Sequence, residues 1–199
     1  MDAHFLYHLN ESGTAGFVMA NGAMTTNLRE EREVRQRLVD EGYVDCIVQL
    51  PEKLFFTTGI PCCLFFLSKN RDGKNEYRER KNEILFIDAR RMGSLVSRKQ
   101  KALSVEEIEK IANVYRTYKH KDFEDYQDIE GFCKVATLND VKEKDYKLTP
   151  GIYVGTKEIE DDEVSFEEKM EELRTKLLEQ FEESNRLQEK IKKDLEGTL

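Results

Sequence analysis

The sequence has no tryptophan, only three prolines and only four cysteines among its 199 residues. Four scattered cysteines cannot build a disulfide framework, so we expect buried free thiols, as in a protein from a reducing compartment. No apolar run is long enough to cross a membrane, and no secretory signal peptide opens the chain. These absences exclude a disulfide-stapled secreted domain and a membrane-spanning helix. They predict a cytoplasmic protein.

Signatures of several enzyme classes are also missing. The sequence contains no Gly-rich phosphate loop and no G-x-S-x-G, H-E-x-x-H or C-x-x-C motif. His4 and His8 stand four residues apart and would share one face of a helix, but packing or surface histidines are the commoner meaning of that spacing. We therefore predict no metal site. The motifs in the sequence therefore give little support for an independent enzyme.

What the chain has in excess is charge. Charged residues make up 36% of the sequence, against about a quarter in an average protein. The net charge of -8 is concentrated at one end, because residues 157–199 carry 15 acids and 8 bases. Residues 1–156 are nearly neutral, so the acidity of the whole chain does not exclude a local basic patch that contacts nucleic acid. Composition thus separates residues 1–156 from an acidic extension, residues 157–199.

Apolar runs in the main part predict four β-strands, near residues 16–20, 43–50, 60–68 and 83–88. A helix over about 27–41 follows the first strand, and strand, helix, strand in that order is typical of the α/β class. We expect residues 69–82 to form an exposed loop or the tip of a hairpin. Residues 119–156 should be irregular apart from one short helix after Thr137.

Capping signals mark the helix ends. Asn27 and Glu30 have the spacing of a capping box at the start of the first helix, and Gly42 ends it. The same spacing recurs at Ser104 and Glu107, where it predicts the start of another helix.

The acidic extension predicts one long helix. Ser165 and Glu168 form a third capping box, and about thirty helix-favouring residues follow. The apolar residues recur at heptad positions, with Gln180 and Ser184 as interruptions, which is typical of a helix that pairs with a partner. The residues expected to carry that assembly are Leu173, Leu177, Leu187 and Ile191.

Residues 49–69 contain the most informative motif. The run L-P-E-K-L-F-F-T-T-G-I-P, residues 50–61, resembles the L-P-x-x-L-F-x-x-T-x-I-P signature of the modification subunit of type I restriction-modification systems. Four other segments resemble the same family in the same order. They are A-G-F-V-M-A-N-G at 15–22, the following helix at 29–38, I-L-F-I-D-A at 84–89 and D-Y-K-L-T-P-G-I-Y-V at 145–154. The resemblance covers about residues 3–156.

This resemblance implies a fold and a function. The family methylates adenine N6 in DNA with S-adenosylmethionine as the methyl donor. Residues 1–156 should then form the C-terminal half of a Rossmann-like methyltransferase sheet, with the strand at 60–68 between those at 43–50 and 16–20. A long C-terminal helix should follow. The implied partners are DNA and the specificity and restriction subunits of the same system.

The resemblance also implies what this chain lacks. In the family, a Gly-containing cofactor loop and an Asn/Asp-Pro-Pro-aromatic motif precede the point where this chain begins, and neither is present here. We therefore expect no catalytic residue in this chain, no S-adenosylmethionine bound to it, and no methylation activity from it alone. The full-length protein would use that cofactor.

Two groups of residues are candidate DNA contacts. Related adenine methyltransferases place an aromatic side chain before the last strand, where it stacks on the flipped-out adenine. Phe55 matches the family's phenylalanine and Phe56 is the alternative, while packing against the sheet edge is the competing interpretation. Residues 89–103 contain no acid and five bases, which could contact DNA phosphates or simply be solvated. These are Arg90, Arg91, Arg98, Lys99 and Lys101.

Two other functions compete with this interpretation. The chain could be a non-catalytic interaction module that acts through its C-terminal helix. It could also be a small stand-alone Rossmann-like enzyme, but that function requires a cofactor loop that the sequence does not contain.

Overall fold

The structure is a computed structural model that describes residues 2–121, 126–155 and 166–196. Residues 1–157 and 158–199 form two compact units. The first unit is built on a mixed sheet, and the second contains one helix, α5 (Phe166–Glu196). Within the described residues, no helix is both long and apolar enough to cross a membrane.

The first unit contains both helices and strands, and five of its strands follow one another between the second and third helices. In chain order they are α1 (Asp2–His8), β1 (Thr14–Ala20), α2 (Arg29–Asp40), β2 (Val44–Gln49), β3 (Cys62–Ser68), β4 (Glu83–Asp88), β5 (Ser94–Ser97), β6 (Gln100–Ala102), α3 (Val105–Lys119), β7 (Cys133–Thr137) and α4 (Leu138–Glu143).

The five-stranded sheet has the order β1-β3-β2-β4-β7. Strands β2 and β4 are parallel, and the other three neighbouring pairs are antiparallel. Strand β3 lies between β1 and β2. Its residue Phe65 is opposite Phe17 of β1 on one side and Ile47 of β2 on the other. The predicted α/β class is confirmed. So are the placement of the four predicted strands in one sheet and the position of the strand near 60–68 between the other two.

Helix α2 packs on one face of the sheet through Leu38 and Val39. The prediction that Gly42 ends the helix is confirmed, because Gly42 has a φ of 73° and the Tyr43 N–H donates to the Leu38 carbonyl at 2.9 Å. The predicted Asn27–Glu30 capping box is wrong. The helix begins later, at Arg29, and its N-cap, Leu28, has no side chain that can accept a hydrogen bond.

Helix α3 covers part of the opposite face. The predicted capping box of Ser104 and Glu107 is confirmed, with both reciprocal hydrogen bonds present. Ile111 and Tyr115 pack against a second core cluster, which includes Cys46, Val48 and Leu85, whereas Ile108 is exposed.

Residues 119–156 are more regular than the sequence predicts. The short helix after Thr137 is confirmed as α4, which Thr137 and Asp140 cap reciprocally. Strand β7 was not predicted, because five residues with two polar side chains give too short a pattern to detect. It pairs with β4 and forms the far edge of the sheet.

The expectation that residues 69–82 form an exposed loop or hairpin tip is wrong for two arginines near its ends. Arg71 and Arg80 are each only 1% exposed, and both reach the fully buried carboxylate of Asp45 on β2. The Arg80 Nε donates to Asp45 Oδ1 at 2.8 Å, and the Tyr115 hydroxyl donates to Asp45 Oδ2 at 2.7 Å. Burial and the nearby Asp45 charge raise the pKa of Tyr115 well above its usual value, so the phenol stays a donor. A buried carboxylate therefore joins β2, the 69–82 segment and α3.

The four cysteines match their prediction. Cys46, Cys62, Cys63 and Cys133 are all buried and free. Burial raises the pKa of the Cys46 thiol well above its usual value, so the thiol stays protonated and unreactive.

Removing the buried carboxylate should destabilise the protein. In Asp45→Ala, two buried guanidinium groups lose their counter-charge, which should lower the free energy of unfolding by about 3–5 kcal/mol. Urea denaturation of the whole chain measures this loss. The control is Glu33→Gln, which breaks the exposed Arg29–Glu33 pair and should cost less than about 1 kcal/mol. Equal, small losses in both variants would show that the Asp45 cluster does not hold the fold.

Candidate nucleic-acid interface

The parallel strands β2 and β4 end at the same edge of the sheet. In α/β proteins, ligands bind outside the carboxyl ends of the parallel strands. At this edge, β2 leads into residues 50–61, which we call the aromatic loop, and β4 leads into residues 89–93. The sequence-predicted DNA contacts belong to these two segments and to the hairpin that follows the second one.

The aromatic loop is anchored at its base and exposed at its tip. The Leu50 N–H donates to the Cys62 carbonyl at 2.9 Å, and Leu54 packs against the second core cluster. Between these anchors and β3, Phe55 is 42% exposed and Phe56 is 89% exposed. Phe55 forms an isolated antiparallel bridge with Thr58, which closes the tip into a tight turn. Two aromatic rings are thus presented to solvent on a loop that the sheet holds in place.

Strands β5 and β6 pair antiparallel and form a two-stranded hairpin, residues 94–102, which we call the basic hairpin. Its turn consists of Arg98 and Lys99, and Lys101 lies on β6. None of these three side chains forms an ion pair within the described part of the chain. Their positive charges therefore remain free for an anionic ligand.

One main-chain hydrogen bond joins the basic hairpin to the aromatic loop. The Lys101 N–H donates to the Lys53 carbonyl at 2.8 Å. Lys53 has a φ of 62°, a left-handed conformation in which the chain turns sharply just before the two phenylalanines. Three of the five predicted basic contacts and both predicted aromatic contacts therefore belong to neighbouring segments.

Glu107 on α3 holds the base of the basic hairpin. Its Oε1 accepts from the Gly93 N–H and its Oε2 from the Ser104 N–H, both at 2.8 Å. These two hydrogen bonds lower the pKa of the Glu107 carboxyl, Gly93 having the larger effect. The contact is complete at neutral pH and is lost only as the pH falls through this lowered value. The capping-box spacing in the sequence predicts the hydrogen bond between Glu107 and Ser104. No local pattern indicates the bond to Gly93, which lies fourteen residues before Glu107.

Arg90 and Arg91, the other two predicted contacts, lie at a separate place. Together with Lys110, Phe132 and other residues they line a cleft of about 390 Å³. Arg90 is paired with Asp88, whose carboxylate accepts from its Nε and Nη2 and raises the pKa of the guanidinium. Arg91 has no acidic partner among the described residues. The structure thus splits the five basic residues into a hairpin group and a cleft group.

His4 and His8 lie on α1 with their rings 4.6 Å apart, edge to face. Among the described residues, no group of three histidine, cysteine or acidic side chains could hold a metal ion.

Helix α5 is 31 residues long, as predicted, and spans roughly 46 Å at about 1.5 Å per residue. The four predicted assembly residues, Leu173, Leu177, Leu187 and Ile191, are 44–63% exposed. Ion pairs at a spacing of three residues, Arg186–Glu183 and Lys192–Glu189, support the polar surface of the helix. The predicted cap at Ser165 lies outside the described residues.

Comparisons with known proteins agree with this fold. The sequence profile of the N-6 DNA Methylase family matches residues 3–162. The chain is 42% identical to the type I restriction enzyme HindI methylase subunit of Haemophilus influenzae, over 98% of this chain and 42% of that protein. It is 39% identical to the MjaIX methylase subunit of Methanocaldococcus jannaschii, over 98% of this chain and 34% of that one. The chain therefore spans less than half the length of these relatives.

Solved structures show the same relationship. The type I restriction-modification methyltransferase subunit from Streptococcus thermophilus superposes with a TM-score of 0.64 at 30% identity, over 76% of this chain and 29% of that one. The EcoKI M protein superposes with a TM-score of 0.58 at 14% identity, over 79% and 37% of the two chains, which supports the fold alone. On this sequence and structural evidence, the chain belongs to the N-6 DNA methylase family, and the relatives that it resembles are methyltransferase subunits of type I restriction-modification systems.

Proposed function

We propose that this chain is the C-terminal part of a type I modification subunit that methylates adenine N6 in DNA with S-adenosylmethionine as donor. The observation that carries the proposal is the pair of exposed phenylalanines at the carboxyl edge of the sheet, joined by a main-chain hydrogen bond to the basic hairpin. In this proposal the edge faces DNA in the cytoplasm. The N-terminal half of the subunit supplies the reacting groups.

A base that leaves the duplex needs a new stacking partner. An adenine extracted from DNA loses its neighbours, and a protein ring that replaces them contributes about 1–3 kcal/mol. Phe55 is the first choice for this role, because it matches the family motif and the Thr58 bridge restrains its backbone. Phe56 is the alternative and is the more exposed ring. Their exposure does not favour the competing interpretation, in which both rings pack against the sheet.

The basic hairpin is proposed to contact the DNA backbone. Arg98, Lys99 and Lys101 are unpaired cations next to the aromatic loop, so phosphates on either side of an extracted base would lie within their reach. Arg91 is a further candidate in the cleft group. Arg90 is the weakest of the five, because a new phosphate contact would compete with its bond to Asp88.

The residues at this edge do not fit the methyl donor. A cofactor site of this kind needs a Gly-rich turn after a strand and an acid free to bind a ribose. Here the loop after β2 contains the single glycine Gly59, and the carboxylate of Asp88, the last residue of β4, is occupied by Arg90. The three prolines, Pro51, Pro61 and Pro150, are also isolated from one another, so no Pro-Pro motif is present. We derive no methyl-transfer step from these residues.

Assembly is proposed to depend on the acidic extension, residues 157–199. Helix α5 presents an exposed apolar stripe, which Gln180 and Ser184 interrupt. Polar residues at such positions lower the stability of a helix pair but favour one register and one partner. The net charge of -7 from residue 157 onward opposes pairing of two copies of this helix along their length. The proposed partner is the specificity subunit, and the restriction subunit joins the same complex. This assembly role is also the main alternative function, that of a non-catalytic interaction module.

The chain alone should not bind S-adenosylmethionine. Isothermal titration calorimetry of residues 1–199 with this cofactor should give no binding heat, and a methylation assay on DNA should give no product. Micromolar binding would contradict the proposal, because it would reveal a cofactor site within this chain.

In the intact subunit, Phe55→Ala should lower kcat/KM for DNA methylation. Loss of about 1–3 kcal/mol of stacking corresponds to roughly 5- to 150-fold. Phe55→Tyr keeps the ring and should be tolerated, and the affinity for S-adenosylmethionine should be nearly unchanged in both. Phe56→Ala tests the alternative ring in the same assay. Wild-type turnover in both alanine variants would show that neither ring stacks on the target base.

Replacing Leu173, Leu177 and Ile191 with Asp should abolish assembly with the specificity subunit. Three charges on the apolar stripe cannot be buried in an interface without a large desolvation cost. The control variant has aspartate at three positions outside the apolar stripe, Thr175, Asn185 and Gln188, and should assemble normally. A pull-down with the specificity subunit compares the two, and circular dichroism checks that both remain folded. Normal assembly of the stripe variant would exclude α5 as the docking element.

A further inference from the structure

The basic hairpin has little to stabilise it from within. Its two strands have four and three residues, and all four side chains of β5 are exposed. A single two-stranded hairpin is marginally stable in water. Its position must therefore be set by contacts at its ends and along its edge.

Glu107 supplies the contact at both ends. Gly93 directly precedes β5, and Ser104 stands two residues after β6, so one carboxylate accepts hydrogen bonds from the chain as it enters and as it leaves the hairpin. The neighbours Met92 and Leu103 pack against the second core cluster. Helix α3, fixed through Tyr115 to the buried Asp45, thus determines where the hairpin starts.

Along its edge, the hairpin in turn restrains the aromatic loop. The bond from the Lys101 N–H to the Lys53 carbonyl comes two residues before Phe55, at the residue with a left-handed backbone. If the hairpin shifts, Lys53 loses this donor, and the turn that directs the two rings loses a restraint. A continuous set of contacts therefore runs from α3 through the hairpin to the tip of the loop.

We propose that Glu107 is a positioning residue for the aromatic loop. It touches neither DNA nor cofactor, and it acts by clamping the basic hairpin, whose Lys101 N–H holds Lys53 and so sets the place of the stacking ring. This inference rests on the proposed function, because it assumes that Phe55 or Phe56 stacks on the extracted adenine.

The first test replaces Glu107 with Gln in the intact subunit, assembled with its specificity subunit. Gln has the same shape but only one acceptor oxygen. The N–H group of either Gly93 or Ser104 therefore loses its acceptor and faces the NH2 group of the amide instead. We expect kcat for DNA methylation to fall by about 2- to 30-fold, the size of an indirect coupling, with the KM for S-adenosylmethionine unchanged. Glu109→Gln, the same change at an exposed position of α3, should retain wild-type kinetics. Equal kinetics in the two variants would overturn the proposal.

A second pair of variants separates position from charge. Lys101→Pro removes the N–H that bonds to Lys53, whereas Lys101→Ala keeps this N–H and removes the charged side chain beyond Cβ. Fluorescence of 2-aminopurine at the target adenine reports the stacking of that base. The proline variant should change this signal relative to the alanine variant, because the ring is displaced. Identical signals would mean that the bond does not position the loop, even if Glu107→Gln fails to fold.

A double-mutant cycle distinguishes failure of this inference from failure of the proposed function. If Glu107 acts through Phe55, adding Glu107→Gln to Phe55→Ala should lower kcat little further. Additive losses would overturn the positioning role while leaving stacking intact. Wild-type activity in Phe55→Ala and Phe56→Ala, with a loss only in Glu107→Gln, would instead contradict the stacking proposal itself.

Discussion

The buried carboxylate of Asp45 is the constraint on which most of this architecture depends. A charge without exposure to water is tolerated only when it is paired and fully hydrogen-bonded, and here two guanidinium groups and one phenol satisfy it. The partners come from two segments other than β2, so satisfying the charge fixes three parts of the chain at once. Arg71 and Arg80 hold the 69–82 segment against the sheet, and Tyr115 holds α3. The position of α3 then determines that of Glu107, and through it the basic hairpin.

This dependence explains why some features could be predicted from the sequence and others could not. The strands β1 to β4 were predictable because apolar runs bounded by turn residues are local signals, and their order followed from the family resemblance. Gly42 and the Ser104 cap were predictable for the same local reason. The burial of Arg71 and Arg80 was not, because it depends on Asp45, which lies 35 residues before Arg80. Composition alone indicates an exposed loop there, and only the long-range pairing reverses that expectation.

The candidate site shows the same division. Phe55 and Phe56 were selected by motif, and their exposure agrees with a role outside the core. The stretch of five bases was visible as a pattern, but the sequence could not separate Arg90, paired with Asp88, from the unpaired Arg98 and Lys99. Nor could it place Lys101 next to Lys53, because a main-chain hydrogen bond between two lysines carries no signature in side-chain chemistry.

The chemistry at this edge also indicates what it contributes to recognition. Arginine and lysine at the tip of a hairpin meet phosphates, which are the same at every position of a duplex. A phenylalanine ring stacks on any base, because every base has a π-face and the ring offers no hydrogen bond to its edge. In the proposed function, an edge of this composition would hold DNA and support an extracted base without selecting a sequence. On the proposed function, the choice of site must come from another component, and α5, with its exposed stripe outside the sheet-bearing unit, is the element of this chain suited to recruit it.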